Sequence, residues 1–207
     1  MDEKYNQIRR KLDLKITLQQ KILRVIFIFL FGIVLGFLAK YLDNFPIVGE
    51  IGTHPGIWML IATLIAVWSR SPIASALHVF VFFASMLIAY YAYSRVLFGF
   101  FPKYYFIAWG SIALISPICA YIAWYAKANG WIAAFSASLP ISLLLLEGYS
   151  FFYTLSIPRG FEVFSAVGLF VILANEASQR LYIVLITGIL FFVFEKLNVI
   201  SLIFGGL

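Results

Sequence analysis

Glu147 follows four consecutive leucines and precedes a run of aromatics in the stretch SLPISLLLLEGYSFFYTL, residues 138–155. In lipid, an ionised side chain near mid-bilayer costs at least ~2.5–3.5 kcal/mol, so such a carboxylate should face a bundle interior and have a partner. There it can hold a cationic group, relay a proton or anchor a basic side chain. Helical rise gives the depth of possible partners. Counted from Trp131, Glu147 lies about 24 Å along its helix, and Tyr90 and Tyr91 lie about 27–29 Å from Pro72. Lys196 lies about 22 Å from Leu181 on an uninterrupted last helix. Glu147, Tyr90, Tyr91 and Lys196 are therefore expected in one layer, with Arg95 reaching down from just above. Two plainer readings stay open. Glu147 could be protonated or tyrosine-bound and only fix helix packing, and "EKLN" at 195–198 could be the outer end of a short helix, with its charges in water.

Other polar features are spread along the chain. Pro140 lies seven residues before Glu147 with Ser136, Ser138 and Ser142 around it, and Pro117 follows Ser116. Each proline removes a backbone donor and frees a carbonyl one turn earlier, so each is a candidate kink. Broken helices of this kind line cavities in many transporters, although a packing kink has the same signature. The segment DNFPIVGEIGTHPG, residues 43–56, reads as the longest external loop. Its Glu50 and His54, with Lys103, Tyr104, Tyr105, Arg159 and Glu162, are candidates for a lid over an outward-facing pocket, or simply for a solvated loop. Glu50 and His54 supply only two metal ligands and no third is identifiable, so no metal and no cofactor is assigned. His78 reads as a packing or interfacial histidine. Tyr41, Trp58, Trp68, Tyr104, Tyr105, Trp124, Tyr125 and Trp131 fall where apolar runs end, as in an aromatic belt. HExxH, nucleophile-elbow, Walker-lysine and paired Asp-rich motifs are absent, which argues against the enzyme classes that depend on them.

The elements that must position these residues follow from composition. The chain has 207 residues, of which 63% are hydrophobic and 12% charged. Soluble domains are nearer half apolar and a quarter charged. Long apolar runs recur from about residue 22 onward, each near the ~20 residues that cross a bilayer core. The expected fold is an all-α polytopic bundle of six to seven spans, over roughly 22–41, 55–69, 72–94, 103–126, 131–156, 162–175 and 181–204. The second and sixth are short. Residues 1–21 read as an amphipathic basic helix at the membrane surface and 22–207 as a single transmembrane domain. Tyr5, Ile8, Leu12 and Ile16 recur at helical spacing in the first segment, between Arg9, Arg10, Lys11 and Lys15. The first apolar run is longer than a signal-peptide core and reads as an uncleaved span. Ser71 and Pro72 suit an N-cap and first helical position, and Gly130 suits a left-handed helix end.

Orientation follows from basic residues. With the N-terminus inside, ten of the fifteen Lys and Arg fall on the cytoplasmic side. That bias favours a cytoplasmic N-terminus in a bacterial cytoplasmic membrane protein. The basic excess is not a nucleic-acid footprint, because the chain lacks a soluble module with interleaved aromatics. The single cysteine, Cys119, leaves no internal disulfide.

From GIVLGFLAKYLD through GIWMLIATLIAVWSRSPIASALHVFVFFASMLIAYYAYS to SPICAYIAWYAKANGW, the chain resembles a family of small bacterial membrane proteins of unknown function, over roughly residues 30–131. That resemblance implies no activity and no site residue. A looser, architectural likeness is to the membrane-embedded substrate-binding subunits of energy-coupling-factor transporters, similar in size and topology. In that family small residues of the first helix contact the transport partner; here Gly32 and Gly36 form a GxxxG, a pattern that also serves ordinary helix packing. The expected function is a small transport protein, or the substrate-binding subunit of one, with Glu147 and the Tyr90/Tyr91 pair in the wall of a cavity for a small molecule. The alternatives are a non-transporting accessory or assembly subunit, whose polar residues bind partner helices, and a membrane enzyme acting on lipids. Expected partners are membrane lipid, a small-molecule ligand, and a membrane subunit or second copy; nucleic acid is not among them.

Overall fold

A computed structural model describes residues 17–99, 101–174 and 176–199, and all regular structure among them is helical. The helices are α1 (Leu18–Leu42), α2 (Pro46–Thr53), α3 (Pro55–Trp68), α4 (Pro72–Phe98), α5 (Lys103–Ala123, continued by a 3₁₀ turn Trp124–Lys127), α6 (Gly130–Gly148), α7 (Phe151–Thr154), α8 (Ile157–Leu173) and α9 (Ala177–Lys196). The basic stretch up to residue 16, and the end of the last expected span beyond residue 199, lie outside the described residues.

Local signals set most boundaries. Thr17 and Gln20 form a reciprocal capping box that starts α1. Ser71 accepts the Ala74 N–H at 3.1 Å and Pro72 takes the first position of α4, as the SRSP turn predicts. Gly99 ends α4 in the left-handed conformation at φ 62°, which a residue with a Cβ adopts only at a cost. Pro117 and Pro140 lie inside α5 and α6, and both helices run on through them.

Among the described residues, five helical stretches are long and apolar enough to cross a membrane: α1, α4, α5 with its turn, α6 through α7, and α9. The segment expected as an external loop contains α2, which meets α3 at a 59° bend; the pair makes a sixth span if counted as one broken helix. The expected span over 162–175 is the end of α8, whose 17 residues reach only about 25 Å. The protein spans a membrane as a helical bundle, with large apolar side chains exposed along the outer faces of α1 and α9.

Two packed units share α3. In one, α1, α4 and α5 surround Val79, Phe82, Phe83, Met86 and Tyr91; in the other, α6, α8 and α9 surround Leu144, Leu169, Leu173 and Ile183. Within the first, α1 runs parallel to α4. Gly32 lies on Phe82 and Ser85, Gly36 lies on the Met86 backbone, and the Phe37 and Tyr93 rings meet at 4.5 Å. Within the second, α6 runs parallel to α9: Ser138 Oγ donates to the Ile183 carbonyl at 3.2 Å, and the Tyr149 and Phe191 rings lie 6.1 Å apart. The chain folds back from α3 into α4, and the start of α8 lies against the end of α6, so α3 and α8 run the other way. Both units thus hold an up–down–up trio, α1/α3/α4 and α6/α8/α9. α5 descends beside α4 in the first unit, antiparallel to it, with Ser75 Oγ donating to the Ala120 carbonyl at 2.8 Å.

Candidate functional site

The polar layer lies where the upper ends of the two units meet. Glu147 is in the last turn of α6, buried to 7% exposure. Its partner comes from α8: Arg159 Nη1 donates to Glu147 Oε2 at 2.7 Å and to the Glu147 carbonyl at 3.0 Å. That carbonyl is one of the four left without an intrahelical donor at a helix C-terminus, where a cation is also favoured by the macrodipole. Glycine makes the approach possible. A Cβ on Gly148 would come within 2.8–3.0 Å of Val163 and of the Arg159 carbonyl, so α6 and α8 touch directly beside the ion pair.

Glu162 lies three residues beyond Arg159 on the same helix face and is 1% exposed. Both its carboxylate oxygens are buried without a hydrogen-bond partner. The nearest charged groups are Arg159 Nη1 at 3.6 Å and His54 Nδ1 at 3.7 Å. His54 stands at the junction of α2 and α3. The junction is close because residue 56 is glycine; a Cβ there would lie 2.6 Å from Glu162 Cγ. Ligand atoms of His54, Glu147 and Glu162 all fall within 4.8 Å of one another.

A cavity of about 650 Å³ opens beside this cluster. His54, Glu147 and Arg159 form one side of it, with Tyr90, Tyr91 and Lys40 among its other lining residues, and Trp58, Tyr105 and Trp109 adding aromatic surface. Lys40 Nζ donates to Asp43 Oδ2 at 2.8 Å and Tyr90 Oη donates to the same oxygen at 2.7 Å, while the Lys40 ammonium sits 5.0 Å from the centre of the Tyr90 ring. Tyr91 is buried against Phe101 and Phe106, with ring centres 5.6 and 5.2 Å away. A second, apolar cleft of about 280 Å³ runs below between α5 and α6 and shares Pro55, Trp58, Trp109 and Glu147 with the first.

The predicted residues divide by this geometry. Glu147, Tyr90 and Tyr91 line one cavity, and His54 and Arg159 from the expected lid line it too. Glu162 is a buried neighbour of Glu147 rather than a lid residue. Arg95 is exposed at the end of α4 and is not part of the lining. Lys196 is also exposed, as the last residue of α9, and is not part of the lining. Glu50 is exposed on α2, its carbonyl accepting the His54 N–H. Gly32 and Gly36 are buried against α4.

Two tryptophans depart from the expected aromatic belt. Trp58 is 6% exposed and donates Nε1–H to the Gly52 carbonyl at 2.8 Å, and Trp124 donates to the Ser69 carbonyl at 2.7 Å. His78 is buried on α4, with Nδ1 2.9 Å from Ser69 Oγ. Lys40, Ser94 and Trp109 also line the cavity, beyond the site residues that the sequence points to. Lys40 had a usable signal, since it and Asp43 are charges one turn apart at the end of an apolar helix.

Over residues 16–205 the chain matches the profile of a family described as "Family of unknown function (DUF6518)". That match extends well past the region of the sequence resemblance. No curated protein and no solved structure matches the chain.

Proposed function

The chain belongs to the DUF6518 family of unknown function, and from its site we propose that it is a small membrane transport protein, or the membrane-embedded substrate-binding subunit of one. The observation that carries this reading is the cavity between the two helical units. Its volume of about 650 Å³ falls within the ~300–1,000 Å³ usual for small-molecule sites. Its walls have the expected character as well: aromatic surface from Trp58, Tyr90, Tyr91, Tyr105 and Trp109, with a few convergent polar groups from Lys40, His54, Glu147 and Arg159.

Position supports the same reading. The cavity lies at the junction of two trios that share one up–down–up order, and transporters built from paired halves bind substrate at such a junction. Relative rocking of the halves would expose the cavity to either side in turn. With the N-terminus cytoplasmic in a bacterial cytoplasmic membrane, the upper ends of α1, α4 and α6 face outward, and so does the cavity. Gly32 and Gly36 pack against α4, so that pair serves contact within the chain.

Gly52 provides the test. It lines the cavity, and a Cβ there would meet nothing within 4 Å. Gly52→Trp should therefore fill the cavity without disturbing the fold. Native mass spectrometry of protein purified from its own membrane should find a retained small molecule in the wild type. That molecule should be lost in Gly52→Trp and depleted in Glu147→Gln. Identical small-molecule content in wild type and Gly52→Trp would sink the proposal.

A further inference from the structure

We propose that His54, Glu147 and Glu162 form a binding site for a divalent first-row transition ion of the zinc class in the wall of the cavity. The three come from the α2–α3 junction, the end of α6 and the second turn of α8, and their ligand atoms lie within 4.8 Å of one another. This is a donor set of one imidazole and two carboxylates. Three protein ligands with a fourth position left open is the usual arrangement of a reactive or exchangeable zinc site. The imidazole matters for selectivity, because hard cations such as magnesium and calcium take oxygen donors whereas imidazole suits zinc and its neighbours.

A second and independent observation points to a ligand. Glu162 is 1% exposed and neither carboxylate oxygen has a hydrogen-bond partner. A buried acceptor left unmatched in this way is costly, the more so when it belongs to a carboxylate. Its neighbours meet it as ion pairs too long for a hydrogen bond. Arg159 is committed to Glu147, at 2.7 Å, and stays 3.6 Å from Glu162; His54 is 3.7 Å away. A cation between His54 and the two carboxylates would give the buried Glu162 carboxylate a direct partner.

Charge and geometry agree with that placement. Two carboxylates against one guanidinium leave a net charge of minus one with neutral imidazole. A divalent ion brings the cluster to plus one, so the open position facing the cavity favours an anionic donor. Ligands about 2.0–2.2 Å from a common zinc ion lie roughly 3.3–3.6 Å apart in a tetrahedron. Closure from the present spacing is thus a matter of about an ångström. His54 can supply it, being half-buried at a bend between two short helices. Arg159 then keeps its place on Glu147 Oε2 and the α6 carbonyl and orients that ligand, as the outer hydrogen-bond partners of metal ligands do.

The test uses the full chain in detergent, stripped with a chelator and titrated with Zn²⁺, then with Co²⁺ for its visible absorption. One Zn²⁺ should bind per chain. His54→Ala and Glu162→Gln should each weaken binding by about 100-fold or more, beyond the ~10–100-fold loss from removing an outer partner. Glu50→Gln should leave it unchanged. Should Glu162→Gln not fold, His54→Ala carries the test alone, since a half-buried residue at a helix junction tolerates truncation. Zinc affinity equal in His54→Ala and wild type, or no saturable zinc binding by the wild type, overturns the proposal. The readout is metal bound at equilibrium, so it stands or falls separately from the small-molecule reading of the cavity.

Discussion

Arg159→Met isolates the electrostatics of the polar layer. The substitution keeps an unbranched side chain but removes two charge-assisted hydrogen bonds, to Glu147 Oε2 at 2.7 Å and to the Glu147 carbonyl at 3.0 Å. It leaves two carboxylates, 7% and 1% exposed, without their nearest guanidinium. Breaking a fully buried ion pair from one side costs ~3–5 kcal/mol. Arg159 itself is 30% exposed toward the cavity, which puts the expected loss at the low end of that range. A loss of about 3 kcal/mol in a chain of this length lowers the unfolding midpoint by roughly 6–12 °C. The assay is thermal unfolding in detergent with a chelator present, on wild type, Arg159→Met, Glu147→Gln and the double variant. Contacting partners couple by ~0.5–3 kcal/mol, so the double variant should be more stable than the sum of the single losses predicts. Additivity of the two single effects within about 0.5 kcal/mol would refute the reasoning, because Arg159 and Glu147 would then not be acting on one another.

A Cβ on Gly36 would run into the Met86 backbone, with its Cα 3.0 Å away, whereas one on Gly110 or Gly188 meets nothing within 4 Å. Gly36→Ala should therefore lower stability by about 1–3 kcal/mol as α1 is pushed off α4, while Gly110→Ala and Gly188→Ala should raise it by up to ~1 kcal/mol; equal midpoints for all three would remove close α1–α4 packing as the reason for this glycine. For orientation, single cysteines in a Cys119→Ser background report the side directly. Lys103→Cys should label with an impermeant maleimide in intact cells and Lys127→Cys only after permeabilisation, and the reverse pattern would invert the proposed topology.

How the site reads in sequence depends on which coordinate of a helix is being asked for. Composition and run length determine that this chain spans a membrane as helices, because a backbone in lipid must satisfy its own hydrogen bonds and ~20 apolar residues do so over one bilayer. Caps are local too, and Ser71 with Pro72 starts α4 where the four residues SRSP say it should. Height along a helix follows from a constant rise, so Glu147, Tyr90 and Tyr91 could be placed in one layer from their numbers alone. Height does not give direction around the helix, nor the offset between helices. For that reason Arg95 and Lys196, at similar nominal depth, end exposed outside the cavity. The 43–56 segment, rich in Pro and Gly, read as loop, yet its prolines stand at helix starts, where a missing N–H costs nothing. The partners of Glu147 belong to the tertiary structure alone. Arg159, Glu162 and His54 meet it because Gly148 lets the α6 and α8 backbones approach closely and Gly56 leaves room for the Glu162 side chain, and close approach between segments far apart in the chain leaves no periodic trace in any one of them.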